Sequence, residues 1–359
     1  MTKRKKHWKP RHLNPNPKPI LIPVQNPPMA PYKVDDLSSL EKLPVTYQQI
    51  NDYVSNRGVA TNLFDLRKET FKRIERATER PLICYVAKTH HVPQHVPAYI
   101  DDSDLTGFDD LIQSTEGEAV DVFIVSNGGS AEATERIVRL LRSRFTSIRF
   151  IVPSNAYSAT TLLCFSGEEI IMGSAATLGP IDPQINGIPA RAILRAFEEV
   201  EKRLKNEGPQ ALPAYMPLLS KYDLHILEIC KSAQELSKEL ARTWLSTYML
   251  KLPEDHPTIS AIVDFFSDYD IHKSHGRSID RQKILEMGLQ ERNAETIEGL
   301  ADLTRSLKNQ YELFFDKSPF YKVFENSRGI GWGRQSQEVT LQFPVPTPMP
   351  QPGPPQRSG

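Results

Sequence analysis

The sequence predicts an α/β fold built on a parallel sheet with helical additions towards its C-terminal side, and three observations carry that prediction. Short apolar runs alternate with charged amphipathic stretches, and Gly, Pro, Ser and Asn gather where one pattern gives way to the other. The resulting order of strand, helix, strand, helix, strand implies right-handed crossovers and parallel neighbours. Beyond Ile188 the apolar spacing becomes helical almost throughout.

The first helical stretch, Arg67–Glu79 (RKETFKRIERATE), feeds the apolar run Leu82–Ala87 (LICYVA), which Pro81 bounds. Val122–Val125 is a second strand, Glu132–Phe145 an amphipathic helix and Ile148–Val152 a third strand. Ala159–Phe165 is a short apolar helix and Glu169–Met172 a fourth strand. Two longer helices are expected at Ala190–Lys205 and from Asp223 to about Leu250, where Leu236, Leu240, Trp244 and Tyr248 recur every four residues. They are expected to pack beside the sheet or against another subunit.

Composition narrows the class. With 359 residues, 39% of them hydrophobic and 25% charged, the chain has enough apolar material for a large globular core. Its 44 basic and 44 acidic residues cancel, so no overall field favours nucleic acid or an anionic membrane, and neither partner is expected. No run of about 18 apolar residues is present, and the basic start lacks the apolar segment of a signal peptide, so a cytoplasmic location is expected. Cys84, Cys164 and Cys230 lie far apart in apolar segments, which reads as buried thiols and gives no expectation of a metal site or a disulfide.

Both ends differ from the middle. Residues 1–45 combine Lys3, Arg4, Lys5, Lys6, Lys9 and Arg11 with a proline-rich stretch, and 336–359 place a proline at nearly every second position from Pro344 to Pro355. Neither composition can build a core. They are expected as tails flanking one domain over 46–335, either simply solvated or docking on an acidic surface and an aromatic groove.

Two loops carry the chemistry. The strand Val122–Val125 runs into Ser126-Asn127-Gly128-Gly129-Ser130 and then a helix, so backbone amides face the carboxyl edge of the sheet, where open α/β folds bind ligands. Adjacent glycines permit close approach of a substrate and let an amide point at a carbonyl oxygen; they equally make a tight turn with Ser130 as helix cap. The next strand leads through Pro153-Ser154-Asn155-Ala156-Tyr157 to Ser158 at the start of Ala159–Phe165. A serine there lies near the positive helix end, which favours nucleophilic attack, though an ordinary N-cap serine occupies the same position.

The stretches SNGGSAEAT, NAYSATTLLCFSGEEIIMG and SAATLGPIDPQI, taken in order, resemble the serine dehydrogenase proteinase family of the Clp/crotonase-like superfamily, which is related to the signal peptide peptidases. The resemblance covers roughly Leu63 to Gln290. It implies a Clp/crotonase-like spiral core, with Ser158 as nucleophile and the amides of Gly129 and Ala159 as the oxyanion hole. The block from Tyr269 to Ile279 resembles the family's His-Gly-x-x-Ile element, which implies a Ser158, Asp182, His275 triad. The implied function is peptide-bond hydrolysis without a cofactor, on a peptide or protein substrate, by a homo-oligomer. One departure is Tyr157, where the family has a small or basic residue; its bulk is expected to narrow the substrate pocket.

Other assignments remain open at the sequence level. Asp182 precedes a proline and suits a turn brace, and His275 precedes a glycine and suits a helix cap. His272 competes as the base, and Lys202 or Lys205 would serve a Ser/Lys dyad, although both lysines sit among Glu198, Glu199 and Glu201 on what reads as a solvated face. A scaffold that has lost catalysis and binds a protein partner is the alternative function. Crotonase-like acyl-CoA chemistry shares the Gly-Gly logic but not the serine element, and no G-x-G-x-x-G fingerprint follows a strand.

Overall fold

The computed structural model describes residues 42–55, 59–223 and 225–336. The expected tails at 1–45 and 336–359 lie outside these residues except for 42–45 and 336. Their placement begins with Pro44 and Val45, whose carbonyls accept from Ser306 Oγ at 2.5 Å and Asn309 Nδ2 at 2.8 Å.

Seven strands form the main sheet: β1 Leu82–Ala87, β2 Ala119–Val125, β3 Ser147–Val152, β4 Glu169–Met172, β5 Glu291–Asn293, β6 Phe320–Asn326 and β7 Gly331–Gln335. Their spatial order is β5-β4-β3-β2-β1-β6-β7. The five strands from β5 to β1 pair in parallel, while β6 and β7 add an antiparallel hairpin beside β1. The chain thus winds one strand at a time from β1 to β4, as the crossover rule requires. The expected parallel core is present, and the hairpin adds an edge that the alternation of apolar runs does not announce.

Alternation along each strand divides the core in two. Ile83, Tyr85, Val122, Ile124, Phe150 and Val152 face one apolar cluster, which also takes in the helices Leu105–Gln113, Ala131–Arg144, Ala159–Phe165, His225–Trp244 and Pro257–Ser267. Leu82, Cys84, Val86, Phe123, Val125 and Ile151 face the other, covered by Val59–Thr78 and Leu300–Asp316. With both faces covered, strands as short as β1 are apolar at every position, which is why they read as continuous runs. The helix from His225 continues through Trp244 into a π-helical turn at Leu245–Met249, and the three cysteines are buried as expected. Among the described residues no helix is long and apolar enough to cross a membrane, and no three His, Cys, Asp or Glu side chains converge as a metal site.

A second, three-stranded sheet lies at the end of the first. Asn155–Ala156 pairs in parallel with Thr177–Leu178, which pairs antiparallel with Ile279–Asp280. It joins segments more than 100 residues apart in sequence.

One buried charge ties the edge hairpin, through β6, to the segment that carries Tyr99, Asp101 and Asp104. Lys322, with no exposed surface, places Nζ 2.6 Å from Asp104 Oδ1, 2.9 Å from the Tyr99 carbonyl and 3.3 Å from Asp101 Oδ2. Burial pushes the Asp104 carboxyl above its ordinary value and the adjacent ammonium opposes that rise. Removing one partner of such a pair leaves a charge in the core without compensation. Lys322→Met is therefore expected to lower stability by about 3–5 kcal/mol in urea denaturation, with part of the loss recovered by adding Asp104→Leu. A loss below about 1 kcal/mol, the scale of an exposed pair, would contradict this account of the edge.

Candidate active site

The site is assembled by the small sheet. Ser158 lies two residues after the strand Asn155–Ala156, Asp182 four residues after Thr177–Leu178, and His275 four residues before Ile279–Asp280. Pairing these three short strands brings together side chains that local sequence cannot.

The small sheet is tied to β2 by the bridge Ser126↔Ala156, in which Ser126 N donates to Asn155 O at 3.2 Å and Tyr157 N to Ser126 O at 3.1 Å. The Gly-Gly loop then passes close to the serine turn. A Cβ on Gly128, at φ 107°, would stand 2.6 Å from Ser158 Cβ and 2.7 Å from Tyr157 O. One on Gly129 would stand 2.2 Å from Ile100 O. Glycine is thus required at both positions by the protein's own backbone, independently of any substrate. Ser130 caps the following helix, its Oγ accepting from Ala133 N at 3.0 Å, as the tight-turn reading expects.

Ser158 has φ 53° and ψ −123°, a conformation that side chains rarely adopt. It stands at the N-terminus of Ala159–Phe165 but its hydroxyl caps nothing. The ordinary N-cap reading therefore does not describe it. The side chain instead lines a cavity of about 400 Å³ together with Gly129, Ala159 and His275. Among the described residues neither the Gly129 amide nor the Ala159 amide has an acceptor within the chain.

Asp182 and His275 meet directly. His275 Nδ1 is 2.9 Å from Asp182 Oδ1, with the carboxylate buried and the imidazole partly exposed at the cavity. Nδ1 donates in this arrangement, which leaves Nε2 as the ring's acceptor. Asp182 Oδ2 is buried and has no hydrogen-bond partner among the described residues, so His275 is the carboxylate's one hydrogen-bond partner there. The Asp182 loop is fixed from both sides: Ile181 N donates to Phe266 O at 2.8 Å, and Gly179 N donates to Thr161 Oγ1 at 3.1 Å. That hydroxyl also lies 2.7 Å from Ala156 O, tying the Asp182 loop to the serine helix. His275 caps no helix; Asp280 caps the one that follows. Ser158 and His275 share no hydrogen bond across the cavity, and such contacts commonly tighten only as substrate binds.

The competing candidates lie elsewhere. His272 is buried, with Nε2 2.6 Å from the Phe265 carbonyl and its ring edge-on to Phe265; burial holds its imidazole below the ordinary value. Lys205 pairs with Glu201 on an exposed helix face, and neither it nor Lys202 lines the cavity. The expectation for Tyr157 needs correcting. Its ring packs against Gly179 and its hydroxyl reaches Thr177 and Ser278, so it does not line the cavity. The walls there come instead from Leu162, Ile181, Ile185 and Leu236, with Tyr99 at the rim. Of these, Tyr99 and Leu236 come from segments that the sequence motifs leave out.

A family model described as ClpP-like SDH-type serine proteinase matches residues 33–210, a span that includes the Gly-Gly loop, Ser158 and Asp182 and stops short of His275. An uncharacterized protein of Methanocaldococcus jannaschii, MJ1495, is 30% identical over 142 residues, covering 38% of this chain and 49% of that one. A second from the same organism, MJ0137, is 38% identical over 80 residues, covering 22% and 28%. The chain thus spans about half the length of one of these relatives and under a third of the other. Among solved structures, a membrane-bound stomatin-specific protease is similar at 16% identity and TM-score 0.34, over 54% of this chain and 74% of that one. A ClpP1 mutant from Listeria monocytogenes is similar at 13% identity and TM-score 0.33, over 65% and 98%. Through residues 33–210, the chain belongs to the family of ClpP-like SDH-type serine proteinases.

Proposed function

We propose that this chain is a serine peptidase that forms an acyl-enzyme on Ser158, with His275 as general base, Asp182 as its orienting carboxylate and the Gly129 and Ala159 amides as oxyanion donors. The observation that carries the reading is the 2.9 Å bond between buried Asp182 and a His275 that faces the same cavity as Ser158. In an arbitrary fold a cavity serine has no such oriented imidazole beside it.

In the proposed reaction Ser158 Oγ attacks the scissile carbonyl carbon while His275 Nε2 takes the hydroxyl proton. Asp182 fixes the ring tautomer and stabilises the imidazolium. The developing oxyanion is met by two backbone amides already free to donate, so little reorganisation is needed as charge develops. Collapse expels the amine, which receives the proton from His275; water then repeats the sequence in reverse roles and frees Ser158. The apolar wall of Leu162, Ile181, Ile185 and Leu236 suits one aliphatic side chain of a peptide. The scaffold alternative drew on Tyr157, on the open choice of base and on two tails suited to docking, and the first of these supports goes with the ring's position outside the cavity.

Intact mass after exposure to a fluorophosphonate tests the assignment. The full chain is expected to gain a single adduct, and Ser158→Ala none. Labelling of His275→Ala should slow by about 10²-fold or more, the usual worth of a positioned base. His272→Gln, which keeps a donor for the Phe265 carbonyl, should label at close to the parent rate. An adduct that survives Ser158→Ala, or no adduct on folded parent chain, would sink the reading.

Asp182→Asn gives a separate check. The amide is close to isosteric with the carboxylate but cannot support the same tautomer, so labelling is expected to slow by about 10²–10⁴-fold with little change in thermal midpoint. Full retention of rate would remove Asp182 from the mechanism.

A further inference from the structure

We propose that Tyr157, the residue before the nucleophile, is a positioning residue that fastens the segment carrying His275 to the segment carrying Ser158. The inference rests on the peptidase reading above for its functional consequence, and on geometry alone for the contact itself.

The backbone of Tyr157 is fixed on the β2 side, where its N–H donates to Ser126 O at 3.1 Å and its carbonyl accepts from Thr160 N at 2.9 Å. From there the side chain crosses the whole three-stranded sheet. Its hydroxyl lies 3.0 Å from Thr177 Oγ1 on the middle strand and 2.7 Å from Ser278 Oγ beside the outer one. The path is cut to fit the ring: a Cβ on Gly179 would come within 2.8 Å of Tyr157 Cγ and Cδ1. Gly179 has an ordinary backbone conformation, so the ring of Tyr157 accounts for its missing side chain.

The far end of this strut is where the site most needs support. Ser278 is three residues after His275, in a loop whose Lys273, Ser274, Gly276 and Arg277 are all exposed. That loop is held by the His275–Asp182 bond, a turn from Arg277 N to Ser274 O, and the two-residue strand Ile279–Asp280. The Tyr157 hydroxyl is therefore the side-chain link that runs directly from the serine turn to the histidine loop. Loss of a single neutral hydrogen bond costs only a small part of a domain's stability, so the chain stays folded without it. Displacement of a base by about 1 Å, by contrast, can cost a hundredfold in rate. Because Tyr157 does not line the cavity, the effect should fall on the chemical step and spare ligand binding.

Fluorophosphonate inactivation of the full chain, measured over a range of probe concentrations, separates the two. Tyr157→Phe keeps the ring against Gly179 and removes only the hydroxyl. It is expected to lower the limiting inactivation rate about tenfold while leaving the half-saturating concentration unchanged and lowering the thermal midpoint by no more than about 2–3 °C. Ser278→Ala should show the same loss, Ser278→Thr should retain the parent rate, and the Tyr157→Phe, Ser278→Ala double variant should be no slower than either single one, since both remove one shared contact. Hydrogen exchange of residues 273–280 gives a readout that needs no activity: it should accelerate equally in Tyr157→Phe and Ser278→Ala. Unchanged exchange in Tyr157→Phe, or single-variant losses that multiply in the double, would overturn the positioning role. A parent chain that exchanges as expected but takes no probe would overturn the peptidase reading and leave the contact standing.

Discussion

The close approach of Gly128 to Ser158 is the constraint on which the site depends. The serine turn can adopt φ 53° because the loop beside it carries no side chain: even one methyl group at Gly128 would overlap Ser158 Cβ. Backbone in such a conformation costs on the order of 1–3 kcal/mol and persists only where the surroundings over-determine it. Here they do so through the Ser126↔Ala156 bridge on one side and the Thr161 hydroxyl on the other. The result is a serine pointed into a cavity rather than spent capping its own helix.

The two sheets divide the work. The main sheet supplies rigidity, with apolar faces covered on both sides and buried pairs such as Arg149 with Asp121 satisfying its polar positions at 2.8 Å. It also delivers the ends of β2 and β3 to one edge, which is where parallel α/β sheets place ligands. The small sheet supplies convergence. Its strands are two residues each and contribute little burial, yet they bring the serine, aspartate and histidine segments into register. Such short pairing needs side-chain reinforcement, and Thr161 and Tyr157 are the residues that reach between its segments.

Much of this was legible in the sequence, for physical reasons that can be stated residue by residue. β1 to β4 are buried on both faces, so their apolar runs stand out against charged helices, and the punctuation at Gly128-Gly129 and Pro153-Ser154 marks the strand ends. Ser158 was legible as a turn residue within an ordered set of motifs. The bond between Asp182 and His275 was legible only through resemblance, since 93 residues separate them and nothing local couples a pre-proline aspartate to a loop histidine. The β6–β7 hairpin was missed because β7 alternates glycine with Trp332 and Arg334 on a half-exposed edge, which gives no apolar run. Tyr157 was misread for a related reason: a residue's neighbour in sequence points to the opposite side of a strand end, so adjacency to the nucleophile says nothing of adjacency to substrate. Gly179 carries the only hint, and its meaning depends on a ring 22 residues away.

The most direct test is the crystal structure of the full chain after reaction with a fluorophosphonate. The account predicts phosphorus bonded to Ser158 Oγ, its phosphoryl oxygen about 2.7–3.1 Å from both the Gly129 and Ala159 amide nitrogens, and His275 still on Asp182. An adduct on another residue, or a phosphoryl oxygen held away from those two amides, would contradict it.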